Sequence, residues 1–516
     1  MLVSSQLMGS EYYEHKLIKP NSIELRDYQV NLANEAKNEN SIVVLPTGLG
    51  KTTIALQIMA HVLSQNKGGV LLLAPTRVLV NQHFDFLKEN LLLEDIGIVT
   101  GEDLINKRKK SWINSVVCAT PEITRNDLER NMIDIEQFSL VIFDEAHRAV
   151  GDYAYTGIAR HFKEKSLILG MTATLPSEKV KATEIIVSLG IQNILQRSDE
   201  SPDVQPYIQK TNTEWIMVDL PPEMKAIQKC LQIALDERYT TLRKNGIQIG
   251  QNKSLSTLLR IRQYVLTQNR ISAKPLFTAI RITYALNIFE AHGITSFLKF
   301  CDRTKAKKGV GIKELFEKDP NFMRAIELAN FAKTHGIEHS KLPKLQEVIS
   351  SVNDKVLIFT SYRDSVNVIN DTLQKMGINS EILIGKAGET GLKQQKQIET
   401  VQRFRDGLTK VLVATRVGEE GLDISEVNLV IFYDNVPSSI RFVQRKGRTG
   451  RKAQGRLVVL IAKDTIDQVY YHIGQRKIKS AKLMGDKLSK KLENNDLSST
   501  ESVSYTHLTL PTNREV

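Results

Sequence analysis

The chain predicts an α/β protein made of two doubly wound parallel-sheet domains with a helical domain inserted between them. Three observations carry this. Short apolar, β-branched runs that end in Pro, Gly or Thr recur, with helix-length spacers, through about residue 174. The same pattern returns after about residue 353, and between the two stretches it gives way to helical periodicity. Alternation of strand and helix argues for parallel sheets covered on both faces.

In the first stretch "SIVVLP", "GGVLLLAPT", "SVVCATP", "FSLVIFDEAH" and "SLILGMTAT" read as buried strands. In the last, "DKVLIFTSY", "TKVLVATRVG", "VNLVIFYD" and "GRLVVLIAK" do the same, spaced by helix-length segments from Asp364 to Phe404 and from Ser438 to Thr449. From about Pro222 to Leu342 the apolar residues take helical spacing instead, as in "EMKAIQKCLQIALDERYTTLRK" and "RITYALNIFEAHGITSFLKF". That insert is basic, with ten Lys/Arg against three Asp/Glu from Glu223 to Pro275. The expected boundaries are 1–215, 216–342 and 343–480, followed by a disordered tail over 481–516. The ending "SYTHLTLPTNREV" continues no pattern in the chain, reads as non-native and is set aside.

At 516 residues, 41% hydrophobic and 25% charged, the composition is that of a globular protein. No apolar run approaches the roughly 20 residues that span a membrane, and "MLVSSQLMGSEYYEHK" lacks the order of a signal peptide. A cytoplasmic protein without membrane contact is expected. The three cysteines are scattered, which suggests neither a disulfide framework nor a zinc site. Net charge of +12 and pI near 9.3 permit a polyanion partner, although a basic solvated surface has the same composition.

"LPTGLGKT", Leu45 to Thr52, departs from the general phosphate-binding loop, whose first Gly would fall on Leu45. A bare Gly-Lys-Ser/Thr arises by chance in about one chain in four of this length, so context decides. Here it follows the strand "SIVVL" and opens the helix-like "TTIALQIMAHVL", the setting in which backbone N–H groups from Thr47 to Thr53, with Gly48 and Gly50, wrap phosphates at a helix N-terminus. Lys51 supplies charge to the β and γ phosphates of ATP, and the Thr52 hydroxyl can ligate Mg²⁺. Leu45 is expected to end the strand and pack inward. A second carboxylate element belongs at the end of a neighbouring strand, and "LVIFDEAH" provides it: Asp144 for Mg²⁺, partly through water, and Glu145 to orient or deprotonate the attacking water.

Together these blocks resemble the DEAH-type motor ATPases of helicase superfamily 2. "PTGLGKT", "APTRVL", "ATPE", "DEAH", "TAT", "VLIFTSYRDS", "VATRVGEEGLDI" and "QRKGRTGR" look like its motifs, in order, over roughly residues 24 to 452. The resemblance implies RecA-like domains and assigns roles residue by residue. In "LRDYQ", Gln29 with Arg26 would read the adenine. Arg448 and Arg451 would be arginine fingers reaching the γ-phosphate, and Gly421 and Asp423 would face the nucleotide. Gln444 and His147, with Thr172 and Thr174, would couple the domains. Thr76, Arg77, Thr100, Gly101 and Thr120 in the first domain, and Ser361 and Thr415 in the second, would hold a nucleic-acid backbone. For Thr100 and Gly101 a plain turn explains the residues equally well.

Within the superfamily, "FDEAHRAVGDYAY", "SPDVQPY", "EHSKLPKL", "VGEEGLDISEVNLVIFYDNVPSSIRFVQRKGRTGR" and "QVYYHIGQR" are similar to the archaeal Hef helicase and its FANCM relatives. That likeness implies a nucleoid-associated DNA helicase on forked or branched DNA, moving 3′ to 5′, its insert gripping the duplex. No ERK tripeptide occurs, so the XPF-type nuclease of many Hef chains is not expected here. An RNA-dependent ATPase of the Dicer or RIG-I type shares the motor and an insert, and motifs do not tell whether a 2′-hydroxyl is read. A hydrolysis-dead scaffold is disfavoured, since every catalytic position carries a competent residue.

Overall fold

The computed structural model describes residues 11–208, 211–250, 254–385, 391–392, 394–419, 424, 427–449 and 455–494. Its first sheet comprises Ser41–Val44 (β1), Gly69–Leu73 (β2), Ile96–Val99 (β3), Val116–Ala119 (β4), Phe138–Asp144 (β5), Leu167–Thr172 (β6) and Asn193–Gln196 (β7). All pairings are parallel, in the order β3-β4-β2-β5-β6-β1-β7. The two strands that the sequence pattern passes over, β3 and β7, are the outermost ones. Each is four residues long and interrupted by Gly or a polar side chain, so neither shows the continuous apolar run of a central strand.

The second sheet contains Thr211–Val218 (β8), Val356–Phe359 (β9), Ser380–Leu383 (β10), Val411–Ala414 (β11), Leu429–Phe432 (β12) and Gly455–Ala462 (β13), ordered β10-β11-β9-β12-β13-β8 and again parallel. This corrects the boundary at 215. β8 runs from Thr211 opposite Gly455 to Val218 opposite Ala462, so the chain has already joined the second sheet by then. As an edge strand β8 mixes polar and apolar residues, and its Trp215 stacks on Phe442 and meets Tyr471 at a tilt.

The helices from Pro222–Lys244 to Pro320–Thr334 share one core, in which the stripe Met224, Ile227, Leu231 and Leu235 meets Leu276, Ala279, Phe289 and Phe297. The next helix, Lys341–Ser350, packs Leu342, Leu345 and Ile349 into the second sheet's core instead.

The expected tail is corrected over its first part. Residues 481–493 continue the helix Ile466–Glu493. Leu488 is buried in the core of the first domain, with Met484 and Leu492 packed beside it, and Gln196 Nε2 donates to Lys482 O at 3.2 Å. Ala481, Met484, Leu488 and Leu492 keep helical spacing, but lysines dilute the stripe until only a docking surface reveals it. The helix thus starts on the second domain and straps the first. Residues 495–516, including the ending read as non-native, lie outside the described residues. Among the described residues no helix is long and apolar enough to cross a membrane.

Candidate active site

In parallel sheets of this kind, functional residues collect at the carboxyl ends of the strands. Leu45 follows β1, Asp144 ends β5 and Thr172 ends β6, while Thr76, Thr100 and Thr120 lie just past β2, β3 and β4. Strand order therefore divides one edge of the sheet. The half β3-β4-β2 carries the candidate strand contacts, and the half β5-β6-β1 carries the candidate chemistry.

The phosphate loop is held from beneath. Leu45 is fully buried and its N–H donates to Thr172 O at 3.0 Å, so the residue does end the strand and pack inward. Gly48 (φ 92°) and Gly50 (φ 78°) are left-handed, a conformation glycine adopts without a Cβ penalty. Space is a second constraint at Gly50, where a β-carbon would lie 2.3 Å from Gln29 Nε2. Gln29 Nε2 and Tyr28 Oη both donate to Leu49 O, at 3.1 and 2.7 Å, and Lys51 Nζ donates to Leu45 O at 2.9 Å. Thr52 and Thr53 follow in the first turn of Lys51–Ser64. Arg26 pairs with Glu24 at 2.8 Å and lies over the Tyr207 ring, 5.5 Å from its centroid.

Asp144 is almost fully buried. His83 Nε2 donates to its Oδ2 at 2.9 Å and the Glu145 N–H to its Oδ1 at 3.0 Å. Burial acts to raise the Asp144 carboxyl, but His83, then Lys51 and the Glu145 N–H, outweigh it and hold the group below the usual carboxylate range. It is ionised, as a metal ligand must be. Glu145 sits at φ 51°, where the strand turns sharply into a 3₁₀ segment. His147 Nδ1 is 3.2 Å from Glu145 Oε2 and 3.1 Å from Thr172 Oγ1, and Thr172 Oγ1 donates to Thr174 O at 3.0 Å. His147, Thr172 and Thr174 thus form a hydrogen-bonded chain within the first domain, beside which Glu145 Oε2 lies buried with no hydrogen-bond partner of its own.

From the second domain the helix Ser439–Lys446 points its C-terminal end at the loop. A β-carbon on Gly447 would lie 2.6 Å from Thr47 Cβ, and Lys446 Nζ reaches Asp199 at 3.1 Å. Gln444 and Arg448 are buried, and Arg448 Nη2 donates to Glu419 O at 2.8 Å. Gly421, Asp423 and Arg451 lie outside the described residues. Glu419 is a partner that sequence reasoning missed. Its carboxylate accepts from Arg445 Nε at 2.6 Å and from Arg441 at 2.7 Å. Burial would raise that carboxyl, but the two guanidinium groups hold it below its usual range. Arg445 also donates to Asp434 O and Ser361 Oγ, at 3.1 and 3.3 Å, with its guanidinium between Phe359 and Phe432.

The other candidate contacts are occupied in part. The Thr76 hydroxyl caps the helix Arg77–Asn90 by accepting from Leu79 N, and Arg77 pairs with Glu102. Thr100 donates through N and Oγ1 to Asp103 Oδ2 at 2.8 and 2.9 Å, a tied turn, while Gly101 faces open space. Thr120 precedes the helix Pro121–Glu129. Ser361 N donates to Asp434 Oδ1 at 2.8 Å, and Thr415 N donates to Leu383 O at 3.0 Å.

Between the domains lies a cleft of about 930 Å³, lined among others by Arg26, Thr47, Gly48, Tyr207, Lys446 and Gly447. Thr47 Oγ1 in its lining and Gln29 Oε1, on the side chain that bonds Leu49 O of the loop, are buried without a hydrogen-bond partner. Buried polar atoms left unmet are costly, and a nucleotide with its phosphates on the loop supplies partners for both. The residues present fit ATP.

Fold and site define the class: two parallel-sheet domains with a cleft between them that fits a nucleotide. Comparison with known proteins agrees. Residues 22–177 match the family model of the type III restriction enzyme res subunit, and residues 340–453 that of the helicase conserved C-terminal domain. The crystal structure of the Pyrococcus furiosus Hef helicase domain is 36% identical, with a TM-score of 0.67, covering 89% of this chain and 100% of that one. A Methanocaldococcus jannaschii protein with the provisional name ATP-dependent RNA helicase is 35% identical over 89% of this chain and 60% of its own. For the ATP-dependent DNA helicase mph1 of Neurospora crassa the values are 32%, 85% and 41%. The chain belongs to helicase superfamily 2, in the family of the Hef helicase domain. It spans 60% and 41% of the length of these two curated relatives.

Proposed function

We propose that the protein is an ATP-dependent DNA helicase or translocase that moves 3′ to 5′ on forked or branched DNA, in fork repair and recombination. The observation that carries the reading is the meeting of Gly447 with Thr47, which sets the second domain's arginine motif on the first domain's phosphate loop. ATP is the substrate, with its phosphates on Thr47 to Thr53 and its base toward Gln29 and Arg26. Arg448 and Arg451, with Gly421 and Asp423, serve it from the second domain. Thr52 and Asp144 would hold Mg²⁺, which would neutralise phosphate charge when bound. Glu145 orients or deprotonates the water, and His147 passes its position to Thr172 and Thr174.

Splitting one site over two bodies makes a motor. Loss of the γ-phosphate that Lys51 and Arg448 share removes the differential stabilisation of the closed cleft. Opening then moves Thr76, Arg77, Thr100, Gly101 and Thr120 relative to Ser361 and Thr415, and with them two grips on one strand. These grips are phosphate contacts, which carry no sequence preference.

Turnover is measured with matched fork DNA, duplex RNA and single strands, and unwinding with 3′- and 5′-tailed forks. Fork DNA should stimulate most, and Lys51→Ala and Glu145→Gln should each lose at least about 100-fold of the stimulated rate. Stimulation by RNA beyond that by DNA would replace this reading with the RNA-dependent one, which the name of the M. jannaschii relative favours. Persistent hydrolysis in both variants would end the motor reading.

A further inference from the structure

The turn after β3, the outer edge strand of the first sheet, leads into a short helix, Ile105–Trp112, with four consecutive basic residues and no acidic one. Two of the four are held. Arg108 is buried, with Nε and Nη2 on the two oxygens of Asp127 at 2.9 and 3.1 Å and Nη1 donating to Asp103 O at 2.7 Å. Trp112 Nε1 donates to the same Asp127 at 2.9 Å, and Lys107 Nζ reaches Asp103 at 2.6 Å. Lys109 and Lys110 are exposed and enter no ion pair among the described residues. Ile105 and Ile113 beside them are 48% and 75% exposed.

A bidentate Arg–Asp pair is rigid, so the buried pair fixes the helix while its outward side stays cationic. Asp103 also holds Thr100 through both N and Oγ1. One carboxylate therefore sets the cationic face in register with the turn proposed to touch the strand.

We propose that Lys109 and Lys110 bind backbone phosphates of a DNA duplex arm lying along this edge of the first domain, a second polyanion site beyond the single-strand track. The inference rests on the DNA reading above. A duplex fits better than a single strand because the helix offers exposed cations but no exposed aromatic ring, its one ring, Trp112, being turned inward onto Asp127. Single-strand sites draw on exposed aromatic rings for stacking. A duplex keeps its bases closed and presents phosphates.

The test is anisotropy titration of the full chain with a short blunt DNA duplex and with oligothymidine over a salt series. Wild type is compared with Lys109→Ala/Lys110→Ala, Lys109→Arg/Lys110→Arg and the exposed control Lys375→Ala. Removing one lysine–phosphate pair flattens the plot of log K against log salt by about 0.9, so the alanine pair should flatten it by about 2 on the duplex. The arginine pair and the control should keep the wild-type slope, as should every variant on oligothymidine, with DNA-free ATPase unchanged. An unchanged duplex slope, or an equal flattening on oligothymidine, overturns the inference and leaves the helicase reading standing. Wild type that binds neither probe overturns both.

Discussion

Gly447 of the second domain rests on Thr47 of the first: a β-carbon on Gly447 would stand 2.6 Å from Thr47 Cβ and 3.2 Å from its Oγ1. The backbone there has φ −67°, which any residue adopts, so the constraint is one of space alone. Gly447→Val should wedge the cleft at the arginine motif and lower stimulated kcat on the order of 100-fold, since about 1 Å of misplacement suffices for that. Thermal stability should hardly change. Wild-type turnover in this variant would show that the contact is not part of the working cycle.

Glu419 bears on stability more than on chemistry. Its carboxylate offsets Arg445, which is fully buried. Glu419→Ala should destabilise the second domain by about 3–5 kcal/mol, the usual cost of stranding a buried charge, and Glu419→Gln, which keeps an acceptor, by less. Urea unfolding checks the order.

The block "EHSKLPKL" carries a pH response. His339 is fully buried, donates through Nε2 to Glu290 O at 2.9 Å and accepts from Lys341 N at Nδ1. Burial first, then Lys341, pushes the ring down to about 3. A folded value below the unfolded one, about 6.5, contributes stability that is fully present above 6.5 and is lost as pH falls toward 3. Glu290, raised by burial, acts in the opposite sense above the usual glutamate range, so the histidine is isolated by the difference between wild type and His339→Gln. From pH 7 to 5 wild type should lose about 2 kcal/mol more than the variant. Parallel pH profiles in urea melts would count against it.

Two arginines of the insert, alike in sequence, part in the structure. Arg262 lies over the Phe277 ring, 5.6 Å from its centroid. Arg260 is exposed. Arg260→Glu should weaken fork binding at low salt with basal ATPase intact. Arg262→Ala should cost the insert about 0.5–1 kcal/mol of packing and alter fork affinity less. The reverse ranking would place the DNA on the other face of the helix.

Much of the protein was legible in its sequence because the signals are local. Central strands such as "LVIFD" show themselves by unbroken apolar runs, and the strand–loop–helix around Lys51 is one continuous segment. That Leu45 packs inward followed from its place at the end of β1, and its full burial agrees. The edge strands β3, β7, β8 and β10, the last inside the segment from Asp364 to Phe404 read as a helix-length spacer, and the strap beyond residue 480 were hidden for the converse reason: their patterns are diluted, and a partner surface completes them.

The sequence by itself determined the order of the elements and the identity of the reactive side chains. Tertiary structure alone decided the pairings: His83 on Asp144 across 61 residues, Arg441 and Arg445 on Glu419, Arg108 on Asp127, and Gly447 on Thr47. A buried charge needs a counter-group in space rather than along the chain. Which residue provides it depends on strand order, and strand order is settled only when the sheet forms.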